Sequence, residues 1–179
     1  MTFGDRRFPT PESLTPLVKA VAAGHHRGGR GVHGVVHWSR VLENGLRIGD
    51  AVGANLTVVR LFAVFHDCRR QNDIRDPGHG ARGGLLAREM RAEWLDVTNA
   101  ELELLVYACT HHTDGLTEAD PTVQACWDGD RLDLPRCSIR VRPDRLCTAT
   151  ARDLATIAWA EERAVSDFRP DFVAGWLIR

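Results

Sequence analysis

The sequence predicts an all-α fold, a compact single-domain helical bundle, on three observations. Apolar residues recur at mixed steps of three and four over long stretches, the spacing that gathers them on one helix face. Helix-start signals stand where such stretches begin: Asn55 before an apolar run, and Thr98 with Glu101 three residues on. The 179 residues show no internal repeat, low-complexity tract or linker, so one domain over 1–179 is expected.

Taken in order, residues 12–23 read as a short helix ending at Gly24, followed by the Gly/Arg/His loop HHRGGRG. An amphipathic helix is predicted over 32–52, with Gly45 and Gly49 as points of interruption. Asn55 caps the next helix, LTVVRLFAVFHD, the most apolar segment of the chain and therefore expected at its centre. Its β-branched and aromatic content would also suit a strand; its length and helical surroundings favour the helix. Asp76-Pro77-Gly78 marks a turn inside a loop, and helices follow over 83–94, 98–111 and 122–132. Residues 135–143 read as extended, and 149–165 as an amphipathic helix with Glu161, Glu162 and Arg163 on its wet side.

Composition removes several classes of function. Lys+Arg of 23 against Asp+Glu of 24 gives a net charge of -1, which offers no global attraction to a nucleic acid polymer or an anionic membrane. Lys19 is the only lysine, a bias towards arginine that codon usage explains as readily as phosphate recognition. No apolar run approaches a membrane span, the longest being broken by Arg60 and Asp67, and the start lacks the apolar core of a secretory leader. Five cysteines are an odd number without a CxxC spacing, which fits neither a disulfide framework nor a cysteine zinc site and points to a reducing cytoplasm.

Histidine carries the chemical signal. His66-Asp67 ends the most apolar helix, where a carboxylate needs a cation, hydrogen-bond donors or water. A second acidic cluster, DGDRLD, ends the helix over 122–132. Imidazole and carboxylate together suit divalent metals. His33 lies one turn before His37 and is read beside the ligands, orienting a carboxylate or facing substrate. Asp128 and Asp133 are read as caps or as ion-pair partners of Arg131 and Arg136, and the five tryptophans as core, with Trp38 and Trp127 against the pocket.

The order His37, His66-Asp67, Asp130 resembles the H…HD…D signature of the HD superfamily of metal-dependent phosphohydrolases. HWSRV, FAVFHDCRR and GDRLDL stand as they stand in that family, and the resemblance spans roughly 32–134. It implies an HD-domain-like fold and one or two divalent ions per chain (Mn, Fe, Ni, Co, Zn or Mg), with His37, His66, Asp67 and Asp130 holding the first. Members with two metals carry extra histidines between the HD pair and the last aspartate, here His79 and either His111 or His112. His111 is preferred because it ends its helix, which leaves His112 near substrate, and Asp67 would bridge the two ions. The Gly-Tyr-Pro residues of the HD-GYP branch are absent from HHTDGLTE, so that type of cyclic dinucleotide cleavage is not expected.

The implied activity is hydrolysis of a small phosphorylated metabolite or nucleotide by metal-activated water, with His66 and Asp67 at the reaction centre. Arg70, three residues after Asp67, together with Arg69 and Arg82, would meet the phosphate. Two other readings share the scaffold: an HD-type di-iron oxygenase acting on a phosphonate or polyol, and a non-catalytic ligand-binding module. Homo-oligomerisation is left open.

Overall fold

A computed structural model describes residues 8–177; residues 1–7, where part of the leader reading falls, lie outside the described residues. Those described form α1 (Thr15–Ala23), α2 (Val35–Val52), α3 (Leu56–Phe65), α4 (His79–Trp94), α5 (Asn99–His111), α6 (Pro121–Arg131), α7 (Ala149–Arg152), α8 (Leu154–Val165) and α9 (Val173–Trp176), with no strand among them. No helix among them is long and apolar enough to cross a membrane, and all five cysteines are free.

The apolar segment is α3, and it does lie at the centre, against α1, α2, α4, α5 and α6. Asn55 caps it by accepting from the Thr57 and Val58 amides. Every residue from Val58 to Phe65 is buried, and each large apolar side chain contributes about 1.5–3 kcal/mol. The Thr98/Glu101 capping box starts α5, and Asp120 with Pro121 starts α6.

Two close approaches position the site. Gly45 and Gly49 do not interrupt α2; Gly45 faces Gly129 of α6 instead. A Cβ on Gly129 would lie 3.0 Å from the Gly45 backbone, so bare backbone on both sides lets α2 and α6 touch. The second approach is made by α4, which begins at His79, four residues ahead of the helix start expected at Gly83. A Cβ on Gly80 would lie 2.0 Å from the Cys109 carbonyl, and one on Gly83 would lie 2.1 Å from that of Phe65. These glycines seat the start of α4 against the ends of α3 and α5.

Three further expectations are corrected. Residues 135–143 are not extended: they fall in a 3-10 turn, Leu134–Cys137, and a coil that enters a second, Pro143–Arg145. The helix over 149–165 breaks at Asp153, whose extended backbone lets its carboxylate cap Thr156 at the start of α8. Arg163 turns inward to pair with Glu43 and lies over the rings of Trp159 and Phe168, where its long side chain covers apolar surface.

Adding one methyl at Gly83 is expected to destabilise the protein by about 1–3 kcal/mol in urea unfolding, since the Phe65 carbonyl must be displaced. On the same helix, Leu85→Ala should stay within about 0.5 kcal/mol, because Leu85 is 57% exposed. Equal effects of the two changes would contradict the close approach.

Candidate metal centre

Each residue of the centre comes from a helix end. His37 lies in the first turn of α2, His66 caps the C-terminus of α3 with Asp67 just beyond, and His79 opens α4. His112 caps the C-terminus of α5, and Asp130 lies in the last turn of α6. His66 and Asp67 would diverge by about 100° within a helix; at its end both reach the same volume. His33 precedes α2 and so is not on its helical face, yet its Nδ1 lies 2.7 Å from Asp67 Oδ2.

The protonation pattern follows from the outer partners. His66 Nδ1 donates to the Phe62 and Ala63 carbonyls, His112 Nδ1 to Cys109, and His79 Nδ1 to Asp76. His37 Nδ1 donates to the Asp133 carboxylate at 2.7 Å. An imidazole whose proton is fixed on Nδ1 presents a bare lone pair on Nε2. All four Nε2 atoms point inward. His37 and His66 meet there at 3.0 Å, and His79 and His112 at 2.9 Å.

Two carboxylates join them. Asp130 Oδ1 lies 3.4 Å from His37 Nε2 and 3.8 Å from His66 Nε2. Asp67 divides its oxygens: Oδ1 faces His79 at 2.9 Å and His112 at 3.7 Å, whereas Oδ2 faces His37 at 3.6 Å and His66 at 3.8 Å. Ligand atoms of His37, His66 and Asp130 form one trio and those of Asp67, His79 and His112 another, each within 4.8 Å. This donor set fits divalent cations. It consists of imidazole nitrogen and carboxylate oxygen, and each ring donates its other N–H to a carbonyl or carboxylate, as metal-ligating histidines do.

Electrostatics of the cation-free cluster show the same demand. Burial and the Arg136 charge push His37 down, but Asp130, Asp133 and Asp67 outweigh them and raise it to about 9. Burial drives His66 down to about 3. Burial would raise Asp67, yet the surrounding imidazoles hold it well below the usual carboxylate range, and Asp130 is depressed likewise.

Several sequence expectations change. His112, not His111, enters the cluster; His111 is half-buried outside it and pairs with Asp114 at 2.7 Å. Buried Leu102, Leu105 and Cys109 advance in steps of three and four, and the next step reaches His112. Asp133 pairs with Arg136 at 3.6 Å as expected, but its carboxylate is also the acceptor that orients His37, and Arg40 Nε holds it at 2.6 Å. Asp128 has no ion-pair partner among the described residues; it accepts from the Cys147 and Thr148 amides and the Thr148 hydroxyl.

The arginines separate too. Arg70 is buried, its Nη1 3.3 Å from Asp67 Oδ1 and 3.1 Å from His79 Nε2. Arg69 donates to the Gly24 carbonyl, and Arg82 to the Arg69 carbonyl and Asp76, so both are largely committed to structure. All three line a cavity of ≈ 360 Å³ with His26. Comparison of the chain with protein-family models, curated proteins and solved structures gave no match.

Asp133→Asn is expected to weaken metal binding about 10–100-fold in a chelator competition, through loss of the charge that orients His37. His112→Ala should cut the bound metal, whereas His111→Ala should leave it unchanged; the reverse order would refute the assignment. Because His37 holds its proton up to about 9, a metal must displace that proton at neutral pH. Mn(II) affinity should therefore rise about tenfold per pH unit between about pH 7 and 8.5. A flat profile would contradict this.

Proposed function

We propose that this protein is a metal-dependent phosphohydrolase of the HD type, cleaving a phosphoester of a small phosphorylated metabolite or nucleotide. The observation that carries the reading is the split carboxylate of Asp67, one oxygen towards each trio. In this reading His37, His66 and Asp130 would hold one divalent ion and His79 and His112 another, with Asp67 shared between them. Bound ions lower the pKa of water towards ~7 and neutralise charge on a phosphoryl group.

The chain's own groups supply position and charge. His33 Nδ1 against Asp67 Oδ2 fixes the rotation of the bridging carboxylate. Asp133 and the Phe62, Asp76 and Cys109 carbonyls hold the four rings so that each keeps its Nδ1–H outward and turns Nε2 inward. Arg70 brings a guanidinium beside Asp67, where its remaining N–H groups meet phosphate oxygens in a planar fork. The carboxylates of Asp67 and Asp130 are held well below the usual carboxylate range and so give no proton to the leaving group near neutral pH.

The same six donors favour a second reading, an HD-type oxygenase with two irons, because imidazole and carboxylate suit Fe as well as Mn, Ni or Zn. Elemental analysis of the purified chain separates the two. Stoichiometric iron with dioxygen consumption supports the oxygenase; Mn, Ni, Co, Zn or Mg with phosphate release supports the hydrolase.

Phosphate release from a panel of nucleotides and sugar phosphates is expected to stop with a chelator and return with added metal. Asp67→Asn should lower kcat by at least about 10³-fold, since bridge and charge are lost together. Arg70→Lys should mainly raise KM, the planar donor pair being replaced by a point charge. A metal-loaded protein inert towards the whole panel would overturn the hydrolase reading.

A further inference from the structure

A second, larger cavity of ≈ 560 Å³ lies where the loop before α2 meets the C-terminal end of α8. It touches the centre only through His37, on the side of Arg40 and Arg136, the partners of Asp133. Its volume falls in the range of small-molecule sites. Four guanidiniums line it, those of Arg30, Arg40, Arg136 and Arg169, against the single carboxylate of Asp167.

These charges are not all spent. Arg40 is taken up by Asp133, Asp167 and the Phe168 carbonyl, and Arg169 by Asp167. Arg30 is exposed, and its side chain has no partner among the described residues. The Arg136 side chain is only 7% exposed. It uses two of a guanidinium's five N–H donors, on the Val32 and Asp133 carbonyls, so three remain. Fixed, desolvated donors beside a free cation make a site for an anion that can accept several hydrogen bonds.

Part of the lining is apolar. Val32, Val36 and Val165 line it, and Val165 is 69% exposed at the end of α8. Water gains nothing along such a wall, whereas the body of an organic ligand gains burial.

We infer that this cavity binds a small organic phosphate or phosphonate, its anionic group held by Arg30 and Arg136 and its apolar body laid along Val32, Val36 and Val165. The inference does not depend on the chemistry of the metal centre. Of the proposed metal ligands only His37 lines the cavity.

Titration calorimetry on the full chain tests it with three probes: 1-naphthylmethylphosphonate, methylphosphonate and inorganic phosphate. The naphthyl probe is expected to bind at least about tenfold more tightly than the other two, the difference being the buried ring. Arg30→Glu should weaken it by about tenfold or more, and Val165→Glu should remove the preference for the ring. Both positions are exposed, so these variants keep the fold. In Asp67→Asn, a chain stripped of the proposed metal bridge, naphthyl binding should persist, which separates this site from the phosphohydrolase reading. Unchanged binding in Arg30→Glu, equal affinity for all three probes, or loss of binding in Asp67→Asn would each overturn the assignment.

Discussion

Four imidazole lone pairs and two carboxylates are aimed at one another inside a helical protein, and much of the structure follows from how that is tolerated. Each ring directs its Nδ1–H outward to a carbonyl or to Asp133, so a neutral ring offers its neighbours only a lone pair. An acceptor cluster of this kind is costly to bury unless positive charge enters it. In the cation-free protein the charge is a proton on His37; divalent ions satisfy the same demand with more of it.

The helical scaffold is arranged around that convergence. Helix C-termini expose unpaired carbonyls and N-termini unpaired amides, both end the regular divergence of side chains, and each cluster residue stands at one or the other. Bare glycine backbone then lets the ends meet. The Gly45–Gly129 approach draws α2 and α6 together, which brings His37 within reach of Asp130, and the glycines of α4 bring His79 against Asp67 and His112. Glycine costs helix propensity at these places, and the loss is offset by packing that no larger residue would permit.

The arginine-rich composition is spent unevenly. Arg40, Arg69 and Arg82 are tied into carboxylates and carbonyls that hold the walls, whereas Arg70 lies against the cluster and Arg30, at the larger cavity, has no side-chain partner among the described residues. Position along the chain does not distinguish these roles. Arg69 and Arg70 are adjacent, yet one ties down the Gly24 carbonyl and the other lies beside Asp67.

What was legible beforehand were features written in local periodicity and residue type: the central place of α3, the caps at Asn55 and Thr98, and the kinds of ligand offered by His37, His66, Asp67, His79 and Asp130. Some misreadings had a signal that was available. The small residues Gly80, Gly83, Gly84 and Ala87 repeat at helical spacing and belong to a helix starting at His79; the step from Cys109 leads to His112. Others had none. That Asp133 serves His37 across 96 residues, or that Arg136 spans Val32, Asp133 and His33, depends on how far apart two helices settle, and close packing of buried side chains sets that distance. Sequence alone determined the elements and the stock of ligands, because caps and periodicity act within a few residues. Only the tertiary structure decided which nitrogen faces inward, since a ring's free proton goes to whichever acceptor the fold brings beside it.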